Sequence, residues 1–548
     1  MTRVKAVGTR RRRVFGALSG VVAGCAGLCL SELAAVAVRP EAGPVTAVGG
    51  ALIDRTPVAV KDWAVRQFGT ADKLVLTLGV VAVLAVVAAA AGVIALRRRS
   101  AGAAVVLVFA AVGAVAALSR PEATGWDALP SLVGGAGAAA VLYRLTGVLT
   151  SRPPRARVGG AGRGTRSGTR SGAGSGPGPG PDGGLDRRGF GRAVAVTLAL
   201  SAVAGYAGRR LTAYGSAGAT ASRAGLRLPP PAEPAPPVPA GADVRVPGVS
   251  AFITPVDGFY RVDTALVVPR IDADTWRLDL HGDGVTRPLT LGLRELLARP
   301  LVEHDITLTC VSNEVGGPYA GNARWLGVRL ADLLREAGVR PPSRGGRADQ
   351  LVARSVDGMT LGTPVETVMD GREALLAVGM NGGPLPFRHG FPVRMVVPGL
   401  YGYVSACKWL RELRLTTFDA YDAYWVRRSW AARAPVKTQS RIDTPRPSAE
   451  PRAGLVPVAG VAWAQHRGIA RVEVRVDGGA WREARLGAED GTDTWRAWVW
   501  PWEATAGRHT LEVRATDRTG AVQPGERTPT VPDGATGWHA VEVRVRAA

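Results

Sequence analysis

The chain has 548 residues, a formal net charge of +23 and only four cysteines. It contains no CxxC pair, and only Cys310 and Cys407 lie outside the apolar first third, which argues against a structural zinc site with four clustered ligands. The most basic segment contains no aromatic residue on which bases could stack, so nucleic-acid binding is not indicated.

Residues 1–150 are predicted to form a membrane anchor. Four apolar runs there have the length and composition of transmembrane α-helices. They span residues 14–38, 74–96, 101–118 and 132–149. Arginine clusters precede the first run and follow the second and fourth, which places these ends in the cytoplasm by the positive-inside rule. We therefore expect a multi-pass protein of the cytoplasmic membrane.

The apolar runs contain neither histidine nor an internal methionine. The first histidine of the chain is His281, and the first methionine after Met1 is Met359. These helices therefore cannot ligate haem through the usual side chains, and no haem is expected in this chain.

Residues 151–186 form a basic Gly/Ser/Pro linker that cannot bury a core and is expected to be disordered. Arg187 and Arg188 then precede a weakly hydrophobic run, so residues 187–210 are predicted to be a fifth helix that resembles a twin-arginine export signal. A plain stop-transfer helix with flanking charges is the alternative. Residues 211–246 include a proline-rich stretch and are predicted to be an extended spacer that holds the next domain off the membrane.

Two folded domains are predicted after the spacer. In residues 247–432, strand-like runs such as LVARSV and PVRMVV mix with helical patterns such as VRLADLLREAG, which indicates an α+β domain. In residues 433–548, five stretches of alternating apolar and polar residues are separated by turn signals. That pattern is typical of an immunoglobulin-like β-sandwich.

Three segments of the α+β domain carry chemistry. Cys310 ends an apolar strand and enters a glycine-rich loop, in the run LTCVSNEVGG. Further along come HGFPVR, followed by VVPG, and then the pair Lys408-Trp409. A thiolate suits a soft, redox-active metal, and basic residues on loops suit an anionic cofactor. Taken alone, Cys310 could instead be a small buried apolar residue.

In the joint order of these segments the chain resembles the sulfite oxidase family of molybdopterin enzymes, from about residue 247 to the C-terminus. The resemblance implies a molybdenum-molybdopterin cofactor (Moco) with Cys310 as the sole protein ligand of the metal, while Cys407 is interpreted as packing. It also implies cofactor contacts from the following residues: Tyr260, Arg261, His389, Arg394, Ser405 and Lys408. Near residues 352–359, either Ser355 or Asp357 is expected to approach the cofactor. Arg394 alternates with apolar residues, so a solvent-facing strand position is its alternative.

Arg324 is the candidate for substrate binding. In NARWLG it matches the arginine with which the family draws an oxyanion towards the metal, and a guanidinium can bind an oxyanion through paired donors. The alternative is a surface arginine just before the helix predicted in GVRLADLLREAG. Asn313 and Tyr319 are secondary candidates that could simply satisfy backbone groups.

The resemblance predicts a membrane-anchored oxidoreductase, extracytoplasmic in its catalytic domain, that exchanges an oxygen atom with a small oxyanion or sulfoxide-like substrate. Electrons would pass to a separate cytochrome or quinone-linked carrier. The C-terminal domain resembles the family's dimerisation domain, which implies a homodimer. Sulfoxide or nitrate reduction on the same centre is one alternative. A non-enzymatic membrane-anchored binding or assembly module is another.

Overall fold

The chain divides into two units, Met1–Tyr214 and Gly215–Ala548. This computed structural model describes residues 2–57, 60, 63–64, 67–68, 72–120, 123–150 and 187–547. The linker predicted at residues 151–186 lies outside the described residues.

The first unit is helical. Its helices are α1 (Thr2–Val38), α2 (Pro44–Arg55), α3 (Asp72–Ala95), α4 (Arg99–Leu118), α5 (Leu129–Thr150) and the beginning of α6 (Arg187–Gly225). In the described part of the chain, five helical segments are long and apolar enough to cross a membrane, and they correspond to the five apolar runs predicted above. Helix formation in the predicted places is thus confirmed.

Glycines allow α1 to approach α3 and α5 closely. A Cβ added at Gly20 would lie 1.8 Å from the carbonyl oxygen of Ala88 on α3. One added at Gly27 would lie 2.7 Å from the carbonyl oxygen of Gly134 on α5. Small residues at helix crossings are typical of helices that pack in a membrane, where backbones come into van der Waals contact.

Helix α6 is longer than predicted. It continues to Gly225, whereas the sequence indicated an end near residue 210 and a spacer from residue 211. The segment 211–225 is rich in alanine, the residue of highest helix propensity, and the first proline after residue 211 is Pro229. The proline-rich stretch therefore begins after the helix ends.

The first half of the second unit contains two five-stranded sheets. One has the order β2-β1-β10-β5-β6, and the other has the order β3-β4-β7-β8 with β9 paired to β7. The strands are β1 (Arg277–Gly282), β2 (Leu289–Gly292), β3 (Val302–Thr309), β4 (Ala320–Arg329), β5 (Gln350–Ser355), β6 (Thr360–Pro364), β7 (Leu375–Met380), β8 (Gly383–Pro384), β9 (Arg394–Val396) and β10 (Leu410–Thr416). Short helices connect them: α7 (Leu293–Leu297), α8 (Leu330–Glu336), α9 (Val365–Met369) and α10 (Gly402–Ser405).

The proline-rich stretch packs along the edge strand β3. The Ala232 N–H donates to the Leu301 carbonyl at 2.8 Å, and the Glu303 N–H donates to the Glu233 carbonyl at 2.9 Å. An edge strand leaves backbone groups unpaired, and this extended segment satisfies some of them. The spacer that was predicted to hold the domain off the membrane therefore lies against the domain at these residues.

The second half contains two four-stranded antiparallel sheets, in the orders β11-β12-β16-β15 and β14-β13-β17-β18. The strands are β11 (Gln439–Thr444), β12 (Gly454–Trp463), β13 (Ile469–Val476), β14 (Arg482–Glu483), β15 (Arg485–Leu486), β16 (Arg496–Ala504), β17 (Gly507–Asp517) and β18 (His539–Val545). Both sheets contribute to one apolar core, which includes Val472, Trp498 and Val513. All five alternating stretches predicted from the sequence form strands.

Candidate functional site

Cys310 lies immediately after β3, at the start of a loop fixed by backbone hydrogen bonds. Its N–H donates to the Tyr319 carbonyl at 2.9 Å, and its carbonyl accepts from the Asn313 N–H at 3.1 Å. The Asn313 side-chain oxygen accepts from the Tyr319 N–H at 2.7 Å, so Asn313 satisfies a backbone group of this loop. The Cys310 side chain is buried. Burial raises the pKa of its thiol, and hydrogen bonds from Ser312 oppose that shift.

The Cys310 side chain lines a cavity in which several distant segments meet. The lining residues come from segments 259–264, 310–312, 355–361, 389–394, 402–409 and 425–430. Six of the predicted site residues line it: Tyr260, Cys310, Ser355, His389, Arg394 and Lys408. Asp357, the alternative to Ser355, lines it as well, so both members of that pair are at the cavity.

Gly390 allows these segments to come together. Its φ is 109°, a backbone conformation that favours glycine. A Cβ at this position would lie 3.1 Å from both the Arg394 Cβ and the Lys408 Cα. The glycine of HGFPVR therefore permits the turn that places His389, Arg394 and Lys408 around one cavity.

Arg394 brings a buried positive charge to the cavity. Its side chain is 4% exposed, and one guanidinium N–H donates to the His389 carbonyl at 3.2 Å. The guanidinium carbon lies 4.9 Å from the centre of the Trp325 ring, while Nε is buried without a hydrogen-bond acceptor among the described residues. Burial lowers the pKa of Arg394 to about 10, and Tyr260 opposes that shift. The solvent-facing alternative for Arg394 is therefore wrong.

His389 is neutral in this setting. Burial, Arg394 and Lys408 together lower its pKa to about 3. Its Nε2 lies 3.3 Å from the Val256 carbonyl oxygen, which can only accept a hydrogen bond, so Nε2 carries the proton. Nδ1 is then left as a hydrogen-bond acceptor.

Lys408 is paired with an acidic residue that the sequence did not indicate. Its Nζ lies 2.7 Å from Asp263 Oδ2, and Asp263 itself lines the cavity. Arg261 binds the same carboxylate with two N–H groups, at 2.7 and 3.1 Å, and does not line the cavity. Burial lowers the pKa of Lys408 to about 8, and Asp263 opposes that shift. Arg261 therefore reaches the site through Asp263.

Ser405 and Arg324 are not among the residues that line the cavity. The Ser405 hydroxyl is buried and donates to the Leu400 carbonyl at 3.0 Å, so it stabilises the turn around α10.

Arg324 lies within β4, which continues to Arg329; the helix begins later than the sequence indicated. Its guanidinium forms a two-pronged ion pair with Asp305, with N–O distances of 2.9 and 2.7 Å. That hydrogen bonding raises the pKa of Arg324, and burial opposes the shift.

Three aromatic residues that were not predicted from the sequence form part of the wall of the Cys310 cavity. Tyr403, Trp425 and Trp430 line the cavity. The ring centres of Tyr403 and Trp430 are 5.6 Å apart, and those of Trp425 and Trp430 are 6.3 Å apart. The available signal was the run YDAYWVRRSW, which is too rich in aromatic residues for a simple connection between domains.

Cys407 is a second thiol at the cavity. It is 3% exposed, belongs to the apolar core, and its Sγ lies 3.7 Å from the Lys408 carbonyl oxygen. Burial raises the pKa of this thiol, and Asp357 adds to the shift. Its surroundings agree with the packing role expected from the sequence.

Comparisons with known proteins cover both halves of the second unit. Residues 265–425 match the oxidoreductase molybdopterin binding domain, and residues 432–546 match the Mo-co oxidoreductase dimerisation domain. The mitochondrial sulfite oxidase of Rattus norvegicus is 32% identical over 346 residues, which are 54% of this chain and 62% of that protein. The sulfite oxidase of Gallus gallus is 33% identical over 326 residues, 51% of this chain and 69% of that protein.

A similar solved structure is that of the sulfane dehydrogenase SoxCD from Paracoccus pantotrophus. It is 25% identical and covers 54% of this chain and 82% of its own, with a TM-score of 0.46. The chain thus spans 62% of the length of the rat relative, and the similarity to the rat enzyme covers about half of this chain.

Proposed function

From the premise that this chain belongs to the sulfite oxidase family of molybdopterin oxidoreductases, we propose that it is a sulfite oxidase-like enzyme. Its cofactor would occupy the Cys310 cavity, and an oxygen atom would be transferred to or from a small oxyanion or sulfoxide-like substrate. The observation that carries this proposal is the meeting of a buried thiol, Cys310, and an unpaired buried cation, Arg394, at one cavity.

The residues present fit a molybdopterin cofactor. A buried guanidinium without an acidic partner is costly, and an anionic ligand would compensate its charge. Arg394 forms no ion pair with any described residue, and its Nε has no acceptor. Arg394 and Lys408 would hold anionic groups of the cofactor, and Cys310 would supply the single thiolate.

When bound, the cofactor supplies a molybdenum centre that can take up or release two electrons as an oxygen atom is exchanged. Around it, the neutral His389 offers a hydrogen-bond acceptor at Nδ1 and Tyr260 offers a hydroxyl at the wall. Burial raises the pKa of Tyr260, so its hydroxyl stays protonated at neutral pH. Tyr403 and Trp430, which line the same cavity, would limit the space for substrate beside the cofactor.

We propose that Arg261 and Asp263 are positioning residues. Arg261 touches Asp263, and Asp263 holds Lys408. A carboxylate with two basic partners fixes the direction of the Lys408 ammonium, and the three groups together keep one net positive charge. We propose that Ser405 also positions Lys408, but indirectly, because its hydroxyl stabilises the turn that precedes Lys408.

The membrane placement is part of the same proposal. Five apolar helical segments support insertion in the cytoplasmic membrane, with α6 as the helix that leads to the catalytic domain on the outer side. Arg187 and Arg188 are the first residues of α6, where a twin-arginine signal would begin. Electrons would leave to a separate carrier, and the two four-stranded sheets would serve as an immunoglobulin-like dimerisation domain.

Turnover by the detergent-solubilised full-length chain tests this function. The protein is produced in cells that make molybdopterin, and sulfite oxidation is followed with ferricyanide as the electron acceptor. Reduction of methionine sulfoxide and of nitrate is measured in parallel with a reduced dye. We expect sulfite oxidation, and its loss to background in Cys310→Ser. Reduction without sulfite oxidation would favour a reductase, and no turnover in a metal-loaded protein would favour a binding module.

A further inference from the structure

A second cavity lies inside the first unit. Helices α1, α3, α4 and α5, together with Pro44 of α2, surround a space of about 160 Å³. Apart from Cys25, Ser31 and Ser131, the side chains that line it are apolar. The same helices come into backbone contact at the borders of this space, as at Gly20 and Gly27, so the space is a local departure from close packing.

Ser131 lines this cavity and has an unsatisfied hydroxyl. It is 2% exposed, and its Oγ has no hydrogen-bond partner among the described residues. Two other buried hydroxyls of the unit bond to their own helices: Ser19 Oγ donates to the Phe15 carbonyl at 2.8 Å, and Thr146 Oγ1 donates to the Leu142 carbonyl at 2.7 Å. A buried hydroxyl without an acceptor is destabilising. A ligand that offers an acceptor to Ser131 Oγ would therefore gain a hydrogen bond that the described residues of the first unit do not supply.

The lining of the cavity reaches the surface of the unit mainly along α3 and α4, which we take as its opening. Four of the residues that line it are exposed: Cys25 on α1, Val81 and Ala85 on α3, and Phe109 on α4. In the proposed membrane placement that surface faces lipid, so the ligand would be a lipid-soluble molecule. An apolar cavity of about 150 Å³ is known to accept benzene, so a single six-membered ring fits this volume.

We propose that this cavity binds the ring of a lipid-soluble quinone, with a ring carbonyl accepting the Ser131 hydroxyl. The quinone tail would leave through the opening between α3 and α4 into the bilayer. A saturated acyl chain would fill the same volume but would leave Ser131 without an acceptor, which is why the quinone is the better occupant. This proposal rests on the membrane placement proposed above and is independent of the molybdenum chemistry.

Photolabelling of the full-length chain tests the site. The protein is placed in nanodiscs of quinone-free lipid and labelled with an azidoquinone, and decylubiquinone is added as the competitor. We expect the label on peptides that contain Phe109 or Ser131. Ser131→Ala should raise the decylubiquinone concentration for half-displacement about fivefold, the loss expected for one net hydrogen bond. Ser19→Ala, which removes a buried hydroxyl outside the cavity, should leave that concentration unchanged.

A second variant keeps the test decisive if Ser131→Ala folds poorly. Ala85→Phe places a ring at the opening and should prevent labelling while circular dichroism shows the same helix content. Undecylbenzene, which has a ring and a tail but no carbonyl, should compete more weakly than decylubiquinone. Any of three results would overturn the proposal. Undecylbenzene and decylubiquinone could compete equally well, Ser131→Ala and wild type could bind decylubiquinone with equal affinity, or the label could be confined to other peptides. Labelling needs no turnover, so quinone binding without molybdenum would overturn only the proposed enzyme function.

Discussion

Lys408 Nζ and Asp263 Oδ2 lie 2.7 Å apart in the wall of the Cys310 cavity, with the two side chains only 10% and 5% exposed. Burial of either charge alone would be costly, and each lowers that cost for the other. Arg261 Nε binds the same oxygen, Asp263 Oδ2, at 2.7 Å. The pair thus couples the stability of the domain to the orientation of the Lys408 ammonium.

Asp263→Asn should destabilise the protein strongly. Removing one partner of a buried ion pair typically costs about 3 kcal/mol, because the other charge stays buried without compensation. The measurement is the unfolding transition of the detergent-solubilised chain in urea. Asp257→Asn is the matched control: Asp257 also forms an ion pair at 2.7 Å, with Arg388, but its side chain is 98% exposed. Equal destabilisation by the two substitutions would show that burial of the Lys408 pair is not what matters.

Arg394→Met should have opposite effects on the cofactor-free and the cofactor-loaded protein. Without cofactor it removes an unpaired buried charge, so we expect a gain of about 1 kcal/mol in the free energy of unfolding. In cells that make molybdopterin it should lower the molybdenum content several-fold, since an anchoring cation is lost. Protein from cells with and without cofactor synthesis supplies both measurements. A variant that loads molybdenum like wild type would contradict the role proposed for Arg394.

Arg324→Met should act on stability and leave substrate affinity unchanged. Arg324 neutralises Asp305, whose side chain is 2% exposed, and its removal should cost about 3 kcal/mol. The KM for sulfite should stay within twofold of wild type, because Arg324 is outside the cavity lining. A large rise in KM with normal stability would instead restore the substrate-binding role that the sequence indicated.

The contact between the two halves of the second unit should depend on pH through Asp493. Its two carboxylate oxygens lie 3.2 Å from His304 Nε2 and 2.9 Å from His466 Nδ1. Burial raises the pKa of Asp493, but these hydrogen bonds outweigh burial and lower it to about 2. For His304, burial lowers the pKa, but the hydrogen bond and charge of Asp493 outweigh burial, so its pKa is raised.

The sign of the effect differs at the two ends of the pH range. The ordinary pKa of aspartate is about 3.9, so the stability from Asp493 is present above that pH and is lost as the pH falls towards 2. The stability from His304 is complete below about pH 6.5 and is lost as the pH rises through its raised pKa. The unfolding free energy of wild type should exceed that of Asp493→Asn most between about pH 4 and 6.5, by about 2 kcal/mol. A difference that does not vary with pH would contradict this account.

Much of the fold could be predicted because its signals are local. Long apolar runs predicted the positions of five helices: α1, α3, α4, α5 and α6. Alternation of apolar and polar residues predicted five strands: β12, β13, β16, β17 and β18. The end of α6 was missed because the predicted boundary rested on hydropathy, whereas the alanine-rich residues 211–225 prolong the helix without being strongly apolar. The docking of the proline-rich stretch depends on the free edge of β3, which no local pattern reveals.

Motif order was enough to predict that certain residues lie together at one cavity, whereas the ion pairs around that cavity could not be predicted from it. Cys310, His389 and Lys408 reach the cavity because strand ends and a glycine turn fix their positions. Arg324 has the right residue type in the right motif, but Asp305 on the neighbouring strand β3 takes its guanidinium. Asp263 was overlooked because its role depends on Lys408, which is 145 residues away in the chain.

The measurement that tests the central claim most directly is the molybdenum content of Cys310→Ser beside that of Cys407→Ser. Both thiols are buried at the same cavity, so the two substitutions make equal chemical changes in matched surroundings. The full-length protein from cells that make molybdopterin should contain about one molybdenum per chain, as a single thiolate ligand implies. We predict that Cys407→Ser keeps most of this metal and that Cys310→Ser loses it while remaining folded. Molybdenum retained by Cys310→Ser and lost by Cys407→Ser, or absent from well-folded wild-type protein, would contradict the account.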